Sequence, residues 1–519
     1  MSSEVEGPPL AGAGRRDDPH QPNLPPKKDT VLRRLLRRPF RSVLRQQALV
    51  NRRLATAGEE LRTAQERAEC ETMLGLGDLA GRLAGELADL QLGLQQLASR
   101  VAGAEDRIGR PPPSAPWDRG PDASAEPSGG VWSKPQTEGV GINLMGDLTA
   151  TTGLAQAARR LAAGLRRRGI PMTVRSVRSG APQIAELLPA ELRDLPGGAP
   201  YPVDLVTLNV NEVPVVALDD LGLQHTGRPA VGTWYWEFET LPADLVDQLG
   251  RVDEIWAPTT FVQRSLGRCT STPIHIVPTI VPVFGAADAR GPLRRQWGVA
   301  EDDVVFLFSF DFNSSVLRKN PLGVVDAYRR AFGSRSPGTR LVMKAINLAN
   351  SAAFESDLRA AVADVDGILI DEHLSEEELG GLFHAADVYV SLHRAEGFGL
   401  GLAEAMAIGK AVVGTAYSGN VDFMNGANSC LVGYRLRPVV PADHRYGGAV
   451  GTVYRPGFLC AEPDVEQAAR WMRALAVDAG LRDRIGTAAA ATIATRFSEA
   501  AVVDAALGHL QRLWGIERE

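Results

Sequence analysis

The stretch Ser391 to Asn425, SLHRAEGFGLGLAEAMAIGKAVVGTAYSGNVDFMN, constrains the fold of this chain more than any other. It opens at the end of an apolar run, Asp387-Val388-Tyr389-Val390-Ser391, which reads as a buried parallel strand. A glycine-rich loop follows, Glu396-Gly397-Phe398-Gly399. High-propensity residues from Leu400 to Ile408 then predict a helix closed by Gly409, and Ala411 to Gly414 predicts a second strand. Strand, loop, helix, strand is the building unit of a doubly wound α/β sheet. Such sheets bind ligands outside the carboxyl ends of their strands.

Glu396 and Glu404 bracket the loop and the helix start, with seven residues between them. Gly397 and Gly399 let the backbone approach a ligand, and their N–H groups can point at it. A carboxylate at each end can accept hydrogen bonds from sugar hydroxyls. Taken alone, the pair fits a solvated helix residue and a plain turn as well. The full string resembles the E-x7-E signature of retaining glycosyltransferases of the GT-B fold, family 4 type (glycosyl transferases group 1), which have two Rossmann-like domains. The resemblance implies that Glu396 and the amides of Gly397, Phe398 and Gly399, with Leu400 beside them, hold the donor sugar. It implies that Glu404 holds the ribose.

The residues before this stretch predict further βα units. Asp303 to Phe310 reads as a strand, and the loop from Asp311 to Pro321 opens a helix. Arg318 and Lys319 add positive charge where the helix dipole already favours a phosphate. Lys344 closes the strand Leu341 to Lys344, in the ligand crevice. The resemblance implies that basic residues here neutralise the donor diphosphate, Lys319 first, then Arg318 and Lys344. With Glu396, Lys319 and Arg318 form the expected catalytic group; a solvated surface lysine is the plainer reading of Lys319 and Lys344. The family's partner arginine is missing, and Asn313 or its neighbours stand in its place. The resemblance implies that the loop Asp371-Glu372-His373 faces the nucleotide base, with His373 a donor-binding candidate, and Ser375 with Glu378 spells a capping box.

Upstream, Val140 to Leu144, the loop Met145 to Gly153, a helix from Leu154 and a strand from Ile170 to Val177 spell βαβ. Gly146 and Gly153 in that loop are candidates for the acceptor side. So are Trp236 and Glu237, at the end of the expected strand Ala230 to Trp236 and within the aromatic segment Gly232 to Glu239; packing between sheet and helix is an equal reading for these aromatics. The histidine that many family members carry near this strand end has no counterpart, since Trp236-Glu237 stand there. The resemblance covers residues 138 to 519.

The domain reading follows. Residues 1–29 are expected to be disordered, 30–109 helical, and 110–137 a Pro- and Gly-rich linker. Residues 138–290 form the acceptor domain, 291–480 the donor domain, and 481–519 the C-terminal helices, the last returning to the first domain. Within the helical part, residues 27–53 are basic and amphipathic, suited to an anionic membrane or to a solvated face. Residues 73–108 carry a three-four apolar seam that predicts self-association as a coiled coil, or a hairpin back onto residues 40–70. Six glycines weaken that helix.

Bulk properties exclude other classes. A net charge of -6 argues against general nucleic-acid binding. Four scattered cysteines read as reduced thiols, and His373 and His393 lack metal-ligand spacing. No apolar run approaches membrane-spanning length and no signal-peptide core is present, so a cytoplasmic protein is expected, peripheral at the inner membrane face if the basic stretch binds lipid. The expected function is metal-independent, cofactor-free transfer of a sugar, a hexose by preference, from a nucleotide diphosphate-sugar to a glycan, lipid or small-molecule acceptor. A phosphorylase or epimerase on the same fold, and a non-catalytic coiled-coil assembly protein, are the alternatives.

Overall fold

The computed structural model describes residues 139–515, apart from 178–183, 185–186, 211–226, 286, 441–442, 444–445 and 447–453. All of them belong to one compact unit, Ser128–Glu519. The disordered, basic, coiled-coil and linker segments expected over residues 1–137 lie outside the described residues.

The first half is built on six parallel strands. They are β1 (Ile142–Gly146), β2 (Met172–Ser176), β3 (Val203–Val206), β4 (Ala230–Thr233), β5 (Glu254–Ala257) and β6 (Ile274–Ile276), in the order β2-β1-β3-β4-β5-β6. Every residue of β1, β3 and β5 is buried, as a parallel strand covered on both faces requires. Asn143 and Asp204 face one another across β1 and β3, 2.7 Å apart, so these buried polar groups satisfy each other. Helix α1 (Gly153–Arg167) follows β1, with Thr152 capping its N-terminus, and α2 (Thr260–Gly267) follows β5, capped by Thr259. Strand β1 starts two residues later than expected and takes in Gly146. A Cβ there would meet Thr207 Oγ1, just past the end of β3, at 1.9 Å, so this glycine serves strand packing. The aromatic strand stops at Thr233, three residues short of the expected end.

The second half repeats the plan with β7 (Val304–Asp311), β8 (Thr339–Ile346), β9 (Ile368–Asp371), β10 (Val388–Ser391), β11 (Ala411–Thr415) and β12 (Cys430–Val432). Their order, β12-β11-β10-β7-β8-β9, is that of a dinucleotide-binding Rossmann sheet, and it reverses between β7 and β10. The helices that matter to the site are α3 (Val316–Lys319), α4 (Pro321–Phe332), α5 (Glu376–Ala385), α6 (Leu400–Ala407), α7 (Ala479–Arg496) and α8 (Glu499–Leu513). Ser375 and Glu378 form the expected capping box on α5. An antiparallel pair, β13 (Tyr434–Pro438) and β14 (Leu459–Pro463), stands apart from the main sheet.

Of the two last helices, α7 stays with the second half, where Ile485, Ala489 and Ile493 join the core of the second sheet. Only α8 crosses back, burying Val502, Val503, Ala506 and Leu510 with Leu161 and Leu165 of α1. Gly164 permits that approach: a Cβ on it would stand 2.7 Å from Val503 Cγ2. The chain thus passes between the halves twice, and the two passages touch, Val281 N–H donating to Phe497 O at 2.9 Å. Among the described residues, no helix is long and apolar enough to cross a membrane.

Candidate active site

The reversal point between β7 and β10 brings two loops together. The first, after β7, carries α3 between two non-glycine residues with positive φ, Ser315 (φ 80) and Asn320 (φ 51). Such conformations cost roughly 1–3 kcal/mol each and persist where surroundings enforce them. Ser315 Oγ caps α3, and Asn320 Nδ2 donates to Leu392 O at 2.8 Å, tying this loop to the one after β10. The second loop carries Glu396, whose backbone N–H donates to Ser418 Oγ at 2.8 Å. Gly399 (φ +97) then turns the chain into α6, and no side chain caps the first amides of that helix. His393 is fully buried behind this loop, bonded through Nε2 to Asn420 Oδ1 at 2.9 Å. Burial holds its pKa below the usual value, so it serves as a neutral strut.

Side chains on these loops form a ladder of alternating charge. Glu237, from the first half, lies 3.8 Å from Arg318; Arg318 lies 2.8 Å from Glu396 Oε2; Glu396 Oε1 lies 2.6 Å from Lys319 Nζ. Tyr454 Oη donates to the far side of Glu237 at 2.9 Å. Burial works against ionisation of Glu396, but the Lys319 and Arg318 charges overcome it and hold its carboxyl down at about 2. Burial pulls the Lys319 ammonium below its ordinary value, with Glu396 opposing.

The ladder ends in a cleft of about 810 Å³ between the two halves, a size suited to a substantial ligand. Lys319, Lys344, His373, Glu396, Gly399, Leu400 and Glu404 line it from the second half, and Gly153 from the first. Glu404 is 5% exposed and pairs with Arg160 of α1 at 3.2 Å. Burial raises its carboxyl to about 7 despite that partner. Burial also lowers the Lys344 pKa, with Asp311 and Asp371 opposing.

Other expected site residues are placed elsewhere. Arg318 is 6% exposed and sits behind Glu396; it orients the carboxylate and does not form the cleft wall. Phe398 packs its ring against Phe423 and Phe497, at 5.2 and 5.7 Å between centroids, so its side chain anchors the loop and only its amide is available to a ligand. Gly397 faces the first half, its carbonyl accepting from Thr259 Oγ1 at 2.9 Å. Asn313 accepts from Asn350 Nδ2, and Ser314 stands on the cleft wall in its stead. Trp236 is 1% exposed, its Nε1–H satisfied by Thr240 O, and it packs with Phe238 and Tyr454. Gly146 and Glu237 likewise do not line the cleft.

Among the described residues, Glu254, His275 and His509 have potential ligand atoms within 4.8 Å of one another. Glu254 already accepts from Trp256 Nε1 and pairs with Arg512, and none of the three lines the cleft. They form a polar knot that fastens α8 to β5.

Residues 293–432, which hold β7 to β12 and the whole charge ladder except Glu237, match the family model of glycosyl transferases group 1. This part of the chain is similar to that family's domain. The architecture around it is GT-B, as solved structures show. HepE from Anabaena, in complex with UDP-glucose, superposes over 72% of this chain and 99% of its own with a TM-score of 0.54 and 15% identity. Sucrose-phosphate synthase from Thermosynechococcus elongatus does so over 73% and 100%, at 0.52 and 16%. A glycosyltransferase from Rickettsia africae does so over 72% and 98%, at 0.51 and 13%. At these identities the likeness is one of fold. No curated protein matches the chain.

The matched region also meets residues that sequence reasoning passed over. Arg159 and Arg160 read only as part of a helix, yet both line the cleft. The signal lay in spacing: Thr152, Gln156, Arg160 and Ala163 recur in steps of three and four, so one face of α1 looks at the second half. Asp311 and Ser309, at the end of β7, are on the cleft wall as well.

Proposed function

We propose that the protein is a retaining glycosyltransferase that moves a hexose from a nucleotide diphosphate-sugar to an acceptor alcohol without a metal ion. The observation that carries this reading is the convergence of Glu396, Lys319, Lys344 and the uncapped start of α6 on one wall of the interdomain cleft. In the reaction the bond from the anomeric carbon to the diphosphate oxygen breaks. A bond from the acceptor oxygen forms on the same face, and the departing phosphate takes the acceptor proton. Negative charge grows on the diphosphate as it leaves. Fixed cations and helix-end amides stabilise that charge without reorganising, which is where most of such catalysis resides. Glu396, kept ionised by its two cationic neighbours, accepts hydrogen bonds from sugar hydroxyls and sets the donor's orientation. The UDP-glucose complex of HepE, a protein of the same fold, supports a nucleotide-sugar donor here.

The test is turnover of a panel of nucleotide sugars by purified protein, with the anomeric configuration of the product read by NMR. Retained configuration and activity that survives EDTA are expected. Inversion, or complete loss on chelation, overturns the mechanism; absence of turnover and of binding across the panel overturns the function. Lys319→Ala is expected to weaken nucleoside diphosphate binding by roughly 1.5–3 kcal/mol, the worth of a charge-assisted contact, as read by calorimetry. Glu396→Gln is expected to lower turnover more than diphosphate affinity, because the diphosphate lacks the sugar that Glu396 holds.

A further inference from the structure

The guanidinium of Arg160 is held differently from its neighbours on α1. Arg159 donates to Leu148 O and Ala150 O, both at 2.9 Å, and so pins the loop after β1. Arg167 pairs with Glu499 and Glu191. Arg160 alone of the three reaches the second half, where its partners are Glu404 at 3.2 Å and Glu376 at 3.3 Å. Both of its terminal nitrogens converge on a single oxygen of Glu404, each at 3.2 Å. That is long for a charge-assisted bond and lacks the two-pronged match that guanidinium makes with an oxyanion. Glu376 is mostly exposed, with 66% of its side chain in solvent, so its hold is weak. The Arg160 side chain itself is 13% exposed and lines, from the first half, the same cleft that Lys319 and Lys344 line from the second.

We propose that Arg160 is the first domain's donor-binding residue, its guanidinium exchanging these two carboxylates for the diphosphate of the nucleotide sugar. The assignment rests on the glycosyltransferase reading above. A diphosphate offers oxyanion pairs that fit the guanidinium fork better than one shared carboxylate oxygen does. The same exchange releases Glu404, on α6 about one turn from the helix start, to accept from the ribose hydroxyls. One arginine then ties donor binding to the joining of the two halves.

Calorimetry on the full chain tests this with UDP, GDP, ADP and dTDP as probes and the matching nucleosides as controls. For the diphosphate that binds, Arg160→Ala is expected to weaken affinity at least about tenfold, with about twofold change or less for the nucleoside. Arg160→Lys is expected to recover part of the loss, and Glu376→Gln to tighten binding a few-fold by removing one competitor. If Arg160→Ala leaves diphosphate affinity unchanged or raises it, Arg160 is only a strap between the halves and the proposal falls. Lys319→Ala separates the two failures: a silent Arg160→Ala beside a weakened Lys319→Ala sinks the Arg160 assignment alone. If no diphosphate binds the unaltered chain, the glycosyltransferase reading falls and takes the assignment with it.

Discussion

Arg318 shows how a residue behind the cleft wall can set the state of one that lines it. It stands between Glu237 and Glu396, and its removal would leave two carboxylates close together with little solvent to screen them. Arg318→Ala is therefore expected to cost about 3–5 kcal/mol in chemical denaturation, the usual penalty for breaking a buried pair from one side. Glu404 gives a pH signature. Its folded pKa lies above the unfolded value of 4.5, so its protonated form favours the fold. That contribution is complete below about pH 4.5 and is lost as pH rises through about 7. Denaturation curves of the parent and of Glu404→Gln should therefore diverge between those limits, the parent losing on the order of 3 kcal/mol relative to the variant. The two carboxylates were legible in the sequence because a glycine loop and a helix start fix their spacing. The partner of Glu404 was not. Arg160 lies 244 residues from Glu404, and no local pattern announces a contact made only when two domains meet.

At the scale of elements, the loop between β10 and α6 is held by groups from outside it. Gly419 N–H donates to Glu396 O at 2.8 Å, and a Cβ on Gly419 would stand 2.1 Å from Gly397 O. Gly419→Ala must therefore displace backbone, not a side chain. A loss of about 1–3 kcal/mol in stability is expected, with weakened nucleotide binding, because Glu396 moves with the loop. Gly164→Val should cost a similar amount by pushing α8 off α1, yet leave nucleotide affinity in the second half nearly intact. Periodicity and glycines gave away the strand–loop–helix units. The strand ends were harder to read, because they depend on neighbours: Gly146 belongs to β1 because it pairs with Ser176 of β2. The aromatic segment misled for a related reason. A tryptophan at a strand end suits a ligand wall or a core equally, and Trp236 found a backbone carbonyl, Thr240 O, to satisfy its N–H inside.

At the scale of the whole molecule, βα grammar and the resemblance led to two Rossmann-like domains, while the order of strands in each sheet was not legible in the chain and comes from the structure. What the first 137 residues do to assembly is a separate matter, predicted from their apolar seam alone. A chain beginning at Glu138 is expected to fold, to bind nucleotide as the full chain does, and to fall to monomer mass by light scattering. An unchanged oligomer would assign assembly to residues 138–519.

The two passages of chain between the halves lie side by side, joined by the bond from Val281 to Phe497. A single tether would let one half swivel in any direction about the other. A pair lashed together acts as a door hinge, leaving swing about one line soft and making twist and slide stiff. Any opening of the cleft about that line would keep the loops after β7 and β10 in register with α1. The arrangement is also redundant. Val283, 72% exposed on the first passage, marks a place where a protease could cut. A molecule nicked there should still travel as one particle on a sizing column, and separate into two bands only under denaturant.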